Sequence, residues 1–461
     1  MLNQALDYAR QHRPGYLEAL LEWLRIPSIS TLPEHAPDVR RAGAWAVARL
    51  QGMGVSSAQL METGGHPLVY AEWQGAPGPT LLIYGHFDVQ PVDPLEAWQG
   101  PPFEPRLEGE SIYARGASDD KGQAFAVLAA LEAYLKTAGR LPLNVKVLLE
   151  GEEEITSPNL LPYVQAHARQ LSADAILIAD QEMLGPQTPL IMYGVRGNLY
   201  VEIEVQGPAS DLHSGTYGGA VDNPVNVLVR ILAGLQDGTT RRVLIPGFHD
   251  AVQPLAEEER ALLAQAPITD EVARQLTGVP ATAGEQGFSL AERVAVRPTL
   301  EVHGIAGGFT GAGMKTVIPA RASAKVSMRL VPDQEPQAIA ALLEAHLKEA
   351  MPATVRWGLR VLGTARPAVT DFRAPAVQAA ARAYERGIGA SPVYMRGGGS
   401  LPIVRELIDR LSPPGGAIPV VMIGFGLPDD GTHAPNEKFA LASFHQGIDT
   451  VIHYLDILGS V

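Results

Sequence analysis

The 461 residues are 46% hydrophobic and 19% charged, a globular composition long enough for two or three domains, which excludes a disordered chain. A formal charge of -14, from 36 Lys and Arg against 50 Asp and Glu, argues against nucleic acid or an anionic membrane as a partner. There is no cysteine, so disulfides are excluded and any zinc must be held by His, Asp and Glu.

Residues 1–25 set Leu17, Leu20, Leu21 and Leu24 at helical spacing among Asp7, Arg10, Arg13, Glu18 and Glu22. That is an amphipathic helix and not the unbroken apolar core of a signal peptide, and no later run approaches the ~20 apolar residues of a membrane span. A soluble, cytoplasmic protein is expected. A second helical pattern, 39–53, ends at Gly54, and 68–73 and 80–84 follow as short strands. The latter delivers His86 and Asp88, two residues apart and so on one side of an extended segment. Asp88 can then orient the imidazole as metal ligation requires, although a strand-end histidine satisfied by a neighbouring Asp looks the same.

After a Pro-rich loop, Asp119 and Asp120 precede an apolar helix over 123–136 that stops at Gly139. Their position is that of helix caps. The strand 144–149 runs directly into Glu150-Gly151-Glu152-Glu153-Glu154. An acidic run is ordinarily a solvated face, but carboxylates crowded at the end of a buried strand repel unless a cation or shared proton compensates. Residues 175–179 end in Asp180, and 419–425 lead through a short loop to Thr432-His433-Ala434-Pro435-Asn436-Glu437. Helices over 123–136, 160–169 and 374–386 alternate with these four strands. The pattern predicts an α/β fold, a mostly parallel sheet covered by helices.

Between 195 and 363 the strands change character: 199–205 and 322–330 alternate apolar with polar, as antiparallel strands with one wet face do. Strand 198–206, helix 224–235, strands 299–304 and 321–330, helix 334–350 and strand 353–362 match a ferredoxin-like βαββαβ unit with a helical insertion near 250–278. Residues 1–194 and 364–461 are therefore expected to form one catalytic domain, with 195–363 inserted and Gly194, Gly197 and Gly363 as hinges.

His86, Asp119, Glu154, Asp180 and His433 make an imidazole and carboxylate set suited to zinc, manganese or cobalt. Five ligands exceed one catalytic zinc and suit two ions sharing a carboxylate, with a further glutamate free to act as general base. At this point the chain resembles the dinuclear zinc metallopeptidases of the aminoacylase, carnosinase and cytosolic dipeptidase type. GHFDVQPVDP, YARGASDDKG, EGEEEITS, DLHSG, GMKTVIPAR, SMRLVP, GGGSLPI and GTHAPNEK occur in that family's order over nearly the whole chain.

The resemblance implies His86 and Asp180 on one metal, Glu154 and His433 on the other, and Asp119 bridging, followed by a cis peptide to Asp120. It makes Asp88 the residue that orients His86 and Glu153 the general base, and leaves Glu152 without a role. It also implies that the inserted domain is a lid and dimerisation domain. His213 would stabilise the oxyanion in a partner subunit, Thr316 and Arg329 would grip the substrate carboxylate, and Ser400 would stand in a Gly loop. Read alone, His213 is an exposed loop histidine and Arg329 a charge on a wet strand face. Gly397, where relatives often carry Glu, and Thr156, where Gly is usual, depart from the pattern and bear on substrate preference. The activity implied is hydrolysis of dipeptides or short peptides with a free carboxylate, by a homodimer with two divalent ions per chain. The alternative is an N-acyl-amino-acid amidohydrolase with the same metals.

Overall fold

The computed structural model describes residues 1–460 and divides into two compact units. One holds Met1–Tyr193, Thr370–Tyr394 and the residues from Glu406 on; the other holds Gly194–Val369 and Met395–Arg405.

In the first unit, Asn144–Glu150, Thr80–His86, Ala175–Ala179 and Val420–Ile423 lie side by side in that order and are parallel, with Thr80 opposite Asn144, Leu81 opposite Ala175 and Val420 opposite Ile176. Their nearly continuous apolar sequence is buried on both faces, which suits central strands covered by helices. Antiparallel strands flank this core: Leu68–Trp73 and then Gln59–Met61 on one side, Leu190–Val195 on the other. The strand at 80 runs on to His86, two residues beyond the expected end. Helix Lys121–Ala138 is buried from Lys121 to Leu135, as a helix apolar all round must be, and ends where Gly139 turns left-handed at φ 64°. The N-terminal helical pattern breaks at His12 into Leu2–Gln11 and Arg13–Leu24. No described helix is long and apolar enough to cross a membrane.

In the second unit, Thr299–Gly307, Arg321–Leu330, Gly197–Gln206 and Arg356–Ala365 form an antiparallel sheet in that spatial order. Alternation works as read: Leu199, Val201, Ile203 and Val205 are buried with Ala322, Ala324, Val326, Met328 and Leu330, and with helices Pro224–Gly234 and Pro336–Ala350. The last strand starts three residues later than expected, at Arg356. Short helices Glu257–Leu263, Asp270–Thr277 and Leu290–Ala295 occupy the insertion. Gly194 and Gly197, expected as hinges, sit inside paired strands. There a Cβ would meet Ala368 O at 2.9 Å and Ala365 O at 2.6 Å, so close backbone approach explains these glycines.

Candidate metal centre

The parallel strands all discharge at their carboxyl ends, where ligands of open α/β sheets gather. His86 is the last residue of its strand, opposite Glu150, and Asp180 directly follows Ala175–Ala179. Glu153 and Glu154 form a single 3-10 turn after Asn144–Glu150. Asp119 comes from the loop before helix Lys121–Ala138, and His433, at φ 62°, from the loop after Val420–Ile423.

Two groups result: His86, Asp119 and Asp180 in one, Asp119, Glu154 and His433 in the other, each with candidate ligand atoms within 4.8 Å of one another. Asp119 belongs to both. Its Oδ1 lies 3.0 Å from His86 Nε2 and its Oδ2 2.9 Å from His433 Nε2. Asp180 Oδ2 is 3.7 Å from His86 Nε2, and Glu154 Oε2 is 3.4 Å from His433 Nε2. The peptide from Asp119 to Asp120 is cis.

The surroundings favour cations. His86 Nδ1 faces the Asp88 carbonyl oxygen at 3.1 Å and Asp88 Oδ1 at 3.4 Å. With its proton there, Nε2 turns a lone pair toward a lone pair of Asp119, an arrangement that a metal ion between them resolves. Asp88 also accepts from Glu153 N at 3.2 Å and Glu154 N at 3.1 Å, so one buried carboxylate orients both the histidine and the acidic turn. Burial, reinforced by the Asp119 charge, pushes the Glu154 carboxyl up to about 8. Burial and then Asp120 raise Asp180, and burial raises Glu153 against the opposing pull of His86 and His433. Burial acts the same way on Asp119 but is outweighed when, without an ion, His433 and His86 are protonated and donate to it, which holds it below the usual carboxylate range. Acids that resist ionising together beside imidazoles are what a dication would relieve. The donor set of imidazole nitrogens and carboxylate oxygens fits two divalent ions.

Asp120 occupies the N-cap position but makes no side-chain cap bond; its Oδ2 accepts from His86 N at 3.2 Å instead. Glu152, without a role in the sequence, accepts from His66 N at 2.8 Å and from Asn159 N at 3.1 Å, and so ties two loops together. Gln90 Nε2 donates to Glu154 Oε2 at 2.6 Å, a contact that no spacing rule suggests.

The four expected substrate residues all lie in the second unit. Pairing of Leu212–His213 with Val317–Ile318 brings exposed His213 beside Thr316, whose carbonyl accepts from Ser214 N at 3.1 Å. Arg329 Nη1 donates to Ser400 Oγ at 2.8 Å. The Gly397–Ser400 loop is held by Arg196, whose Nε donates to Gly398 O at 2.9 Å and whose backbone N donates to Gly399 O at 3.1 Å. Arg196 passed unnoticed in the sequence because nothing local distinguishes it from a strand-end charge.

A family model described as peptidase family M20/M25/M40 matches residues 82–456. The chain is 31% identical to the Cys-Gly metallodipeptidase DUG1 of Candida albicans, over 99% of this chain and 97% of that relative. It is 30% identical to the Beta-Ala-His dipeptidase of Homo sapiens, over 97% of this chain and 90% of that one. The solved structure of the M20 family metallo-carboxypeptidase Sso-CP2 from Sulfolobus solfataricus superposes with a TM-score of 0.83 at 35% identity, covering 97% of this chain and 99% of that one.

Proposed function

The chain belongs to peptidase family M20/M25/M40, and we propose that it is a metal-dependent hydrolase of dipeptides or short peptides that carry a free carboxylate. The observation that carries this reading is the pair of three-residue groups sharing Asp119. His86 and Asp180 would hold one ion, Glu154 and His433 the other, with Asp119 between them; zinc suits the set best, and manganese or cobalt are compatible with it. Two such ions would supply Lewis acidity to the scissile carbonyl and would make a bound water more acidic.

The chain's own residues do the rest. A Glu153 carboxylate oxygen takes a proton from the attacking water as its oxygen bonds to the carbonyl carbon, and returns that proton to the amide nitrogen as the C–N bond breaks. Burial of Glu153 raises its pKa toward the range in which such a shuttle works in both directions. Asp88 keeps His86 in one tautomer and one orientation. Arg329, Thr316 and Ser400 offer a guanidinium and hydroxyls for the substrate carboxylate, and His213 a donor for the developing oxyanion. The second unit serves as lid and dimerisation domain in this reading, consistent with its independent sheet and exposed His213. The names of the relatives, two dipeptidases and a carboxypeptidase, support this reading.

The test is to strip the protein with a chelator, titrate it with Zn2+, Mn2+ or Co2+, and compare rates on an unblocked dipeptide and the matching N-acetyl amino acid. Two ions per chain and faster dipeptide cleavage are expected. Saturation at one ion per chain overturns the paired centre, and a faster N-acetyl reaction reassigns the protein as an amidohydrolase.

A further inference from the structure

The stretch that carries Asp119 has no regular structure between strand Ser111–Tyr113 and helix Lys121–Ala138, yet Asp119 offers one oxygen to each histidine. A carboxylate 318 residues along the chain holds it there. Glu437 is fully buried, and its Oε2 accepts from Arg115 Nη1 and from Gly116 N, both at 2.8 Å. Its Oε1 accepts from Ser118 N at 2.9 Å and Asp119 N at 3.0 Å. The Glu437 backbone joins in, since its carbonyl accepts from Ala114 N at 3.1 Å, and the next residue, Lys438, pairs with Tyr113. Arg115, 1% exposed, also donates through Nη2 to Pro91 O at 3.1 Å and so ties down the chain just past Asp88. Three segments, each bearing a residue of the metal centre, thus meet on one buried ion pair.

We infer that Glu437, held against Arg115, is a positioning residue for the metal centre, setting the Asp119 carboxylate between His86 and His433 and thereby both ion sites at once. Three backbone N–H groups and a guanidinium converge on its two oxygens, and such charge-assisted bonds hold a loop more stiffly than neutral ones. Hydrogen-bond partners one step behind metal ligands typically govern affinity by about 10- to 100-fold. The inference rests on the paired-ion reading. A purely structural ion pair would be a different device: replacing both partners by neutral residues of similar volume would then leave the ions unaffected.

The experiment compares the wild type, Glu437→Gln and the double variant Arg115→Met/Glu437→Gln. Each is measured for urea unfolding in chelator, for Zn2+ binding by calorimetry, and for the visible spectrum of the Co2+ form. Glu437→Gln leaves a buried guanidinium unpaired and should lose both stability and affinity. The double variant should regain most of the stability, yet bind both ions at least about tenfold more weakly, with a shifted cobalt spectrum. Wild-type affinity and spectrum in the double variant would overturn the inference. So would a loss confined to one ion, which would mean that Glu437 acts only on the His433 segment. Should the wild type itself bind fewer than two ions, the paired-ion reading fails first and takes this inference with it.

Discussion

Glu152 and Glu153 are chain neighbours with opposite surroundings. Glu152 is saturated by the backbone of His66 and by Asn159, whereas Glu153 stands among His86, Asp88, Asp119 and His433. Glu153→Gln should therefore keep two metals and lose about 100- to 10,000-fold in kcat. Glu152→Gln should keep kcat within a few-fold and destabilise the fold by about 1–3 kcal/mol, because an amide NH2 would face N–H donors. Kinetics and metal analysis on both variants decide between them; the reverse outcome moves the base to Glu152. Glu150, which lies opposite His86 on the neighbouring strand, makes a separate prediction about pH. Burial pushes its carboxyl from an ordinary value of 4.5 up to about 8, despite hydrogen bonds from Tyr84 and Ser157. The folded state therefore keeps a proton that the unfolded chain releases. The resulting stability is fully present below about pH 4.5 and is lost as pH rises through 8. In chelator, the wild type should lose stability relative to Glu150→Gln across that window, by up to ~1.4 kcal/mol per pH unit. Parallel urea-unfolding curves from pH 5 to 8 would show that Glu150 ionises normally.

Among the elements, the closest packing behind the centre is where the strand Val420–Ile423 ends. A Cβ on Gly424 would lie 1.7 Å from the Gln181 carbonyl oxygen, and Gln181 follows the expected ligand Asp180. Gly424 also exchanges hydrogen bonds of 2.9 Å with the buried Tyr384 hydroxyl, so neither neighbour can yield cheaply. Gly424→Ala should cost more than the ~1–3 kcal/mol of ordinary overpacking, because the obstacle is backbone. It should also weaken the ion held by His86 and Asp180 more than the other. Urea unfolding and metal titration read both effects, and a variant as stable as the wild type would show that the Gln181 peptide can move aside.

At the scale of the whole molecule, the exposed His213 belongs to one unit and the five candidate ligands to the other. The four-stranded sheet of the second unit leaves Thr299–Gly307 as an open edge, with Val302 at 41% and Ile305 at 52% exposure. Open edges with apolar side chains invite pairing with another chain, which fits a homodimer with His213 acting in trans. Mixing inactive His213→Ala with inactive Glu153→Gln should then restore about a quarter of wild-type activity after random exchange, since half the dimers carry one complete site. No recovery despite proven exchange would place His213 in cis or outside catalysis.

The parts of this protein that were legible before folding are those written as local periodicity or residue type. Largely apolar runs at 80–84, 144–149 and 175–179 marked central strands, alternation at 199–205 marked a one-sided sheet, and a histidine or acid at the end of each run marked the candidate centre. Those signals survive because a buried strand must be apolar whatever surrounds it. Three-residue strands such as Gln59–Met61 and Lys438–Ala440 carry no period to read, and they form only because a distant partner strand accepts their hydrogen bonds. Glu152, Glu437 and Glu154 are the same residue type and all stood inside noticed motifs. Glu154 was already a candidate ligand from its place after the strand, but Glu152 became a tether and Glu437 the buried partner of Arg115 only when residues as far apart as 66 and 152, or 115 and 437, were brought within 2.8 Å. A carboxylate's role is set by which donors or cations surround it, and for a chain that buries its acids those neighbours are chosen by the tertiary fold.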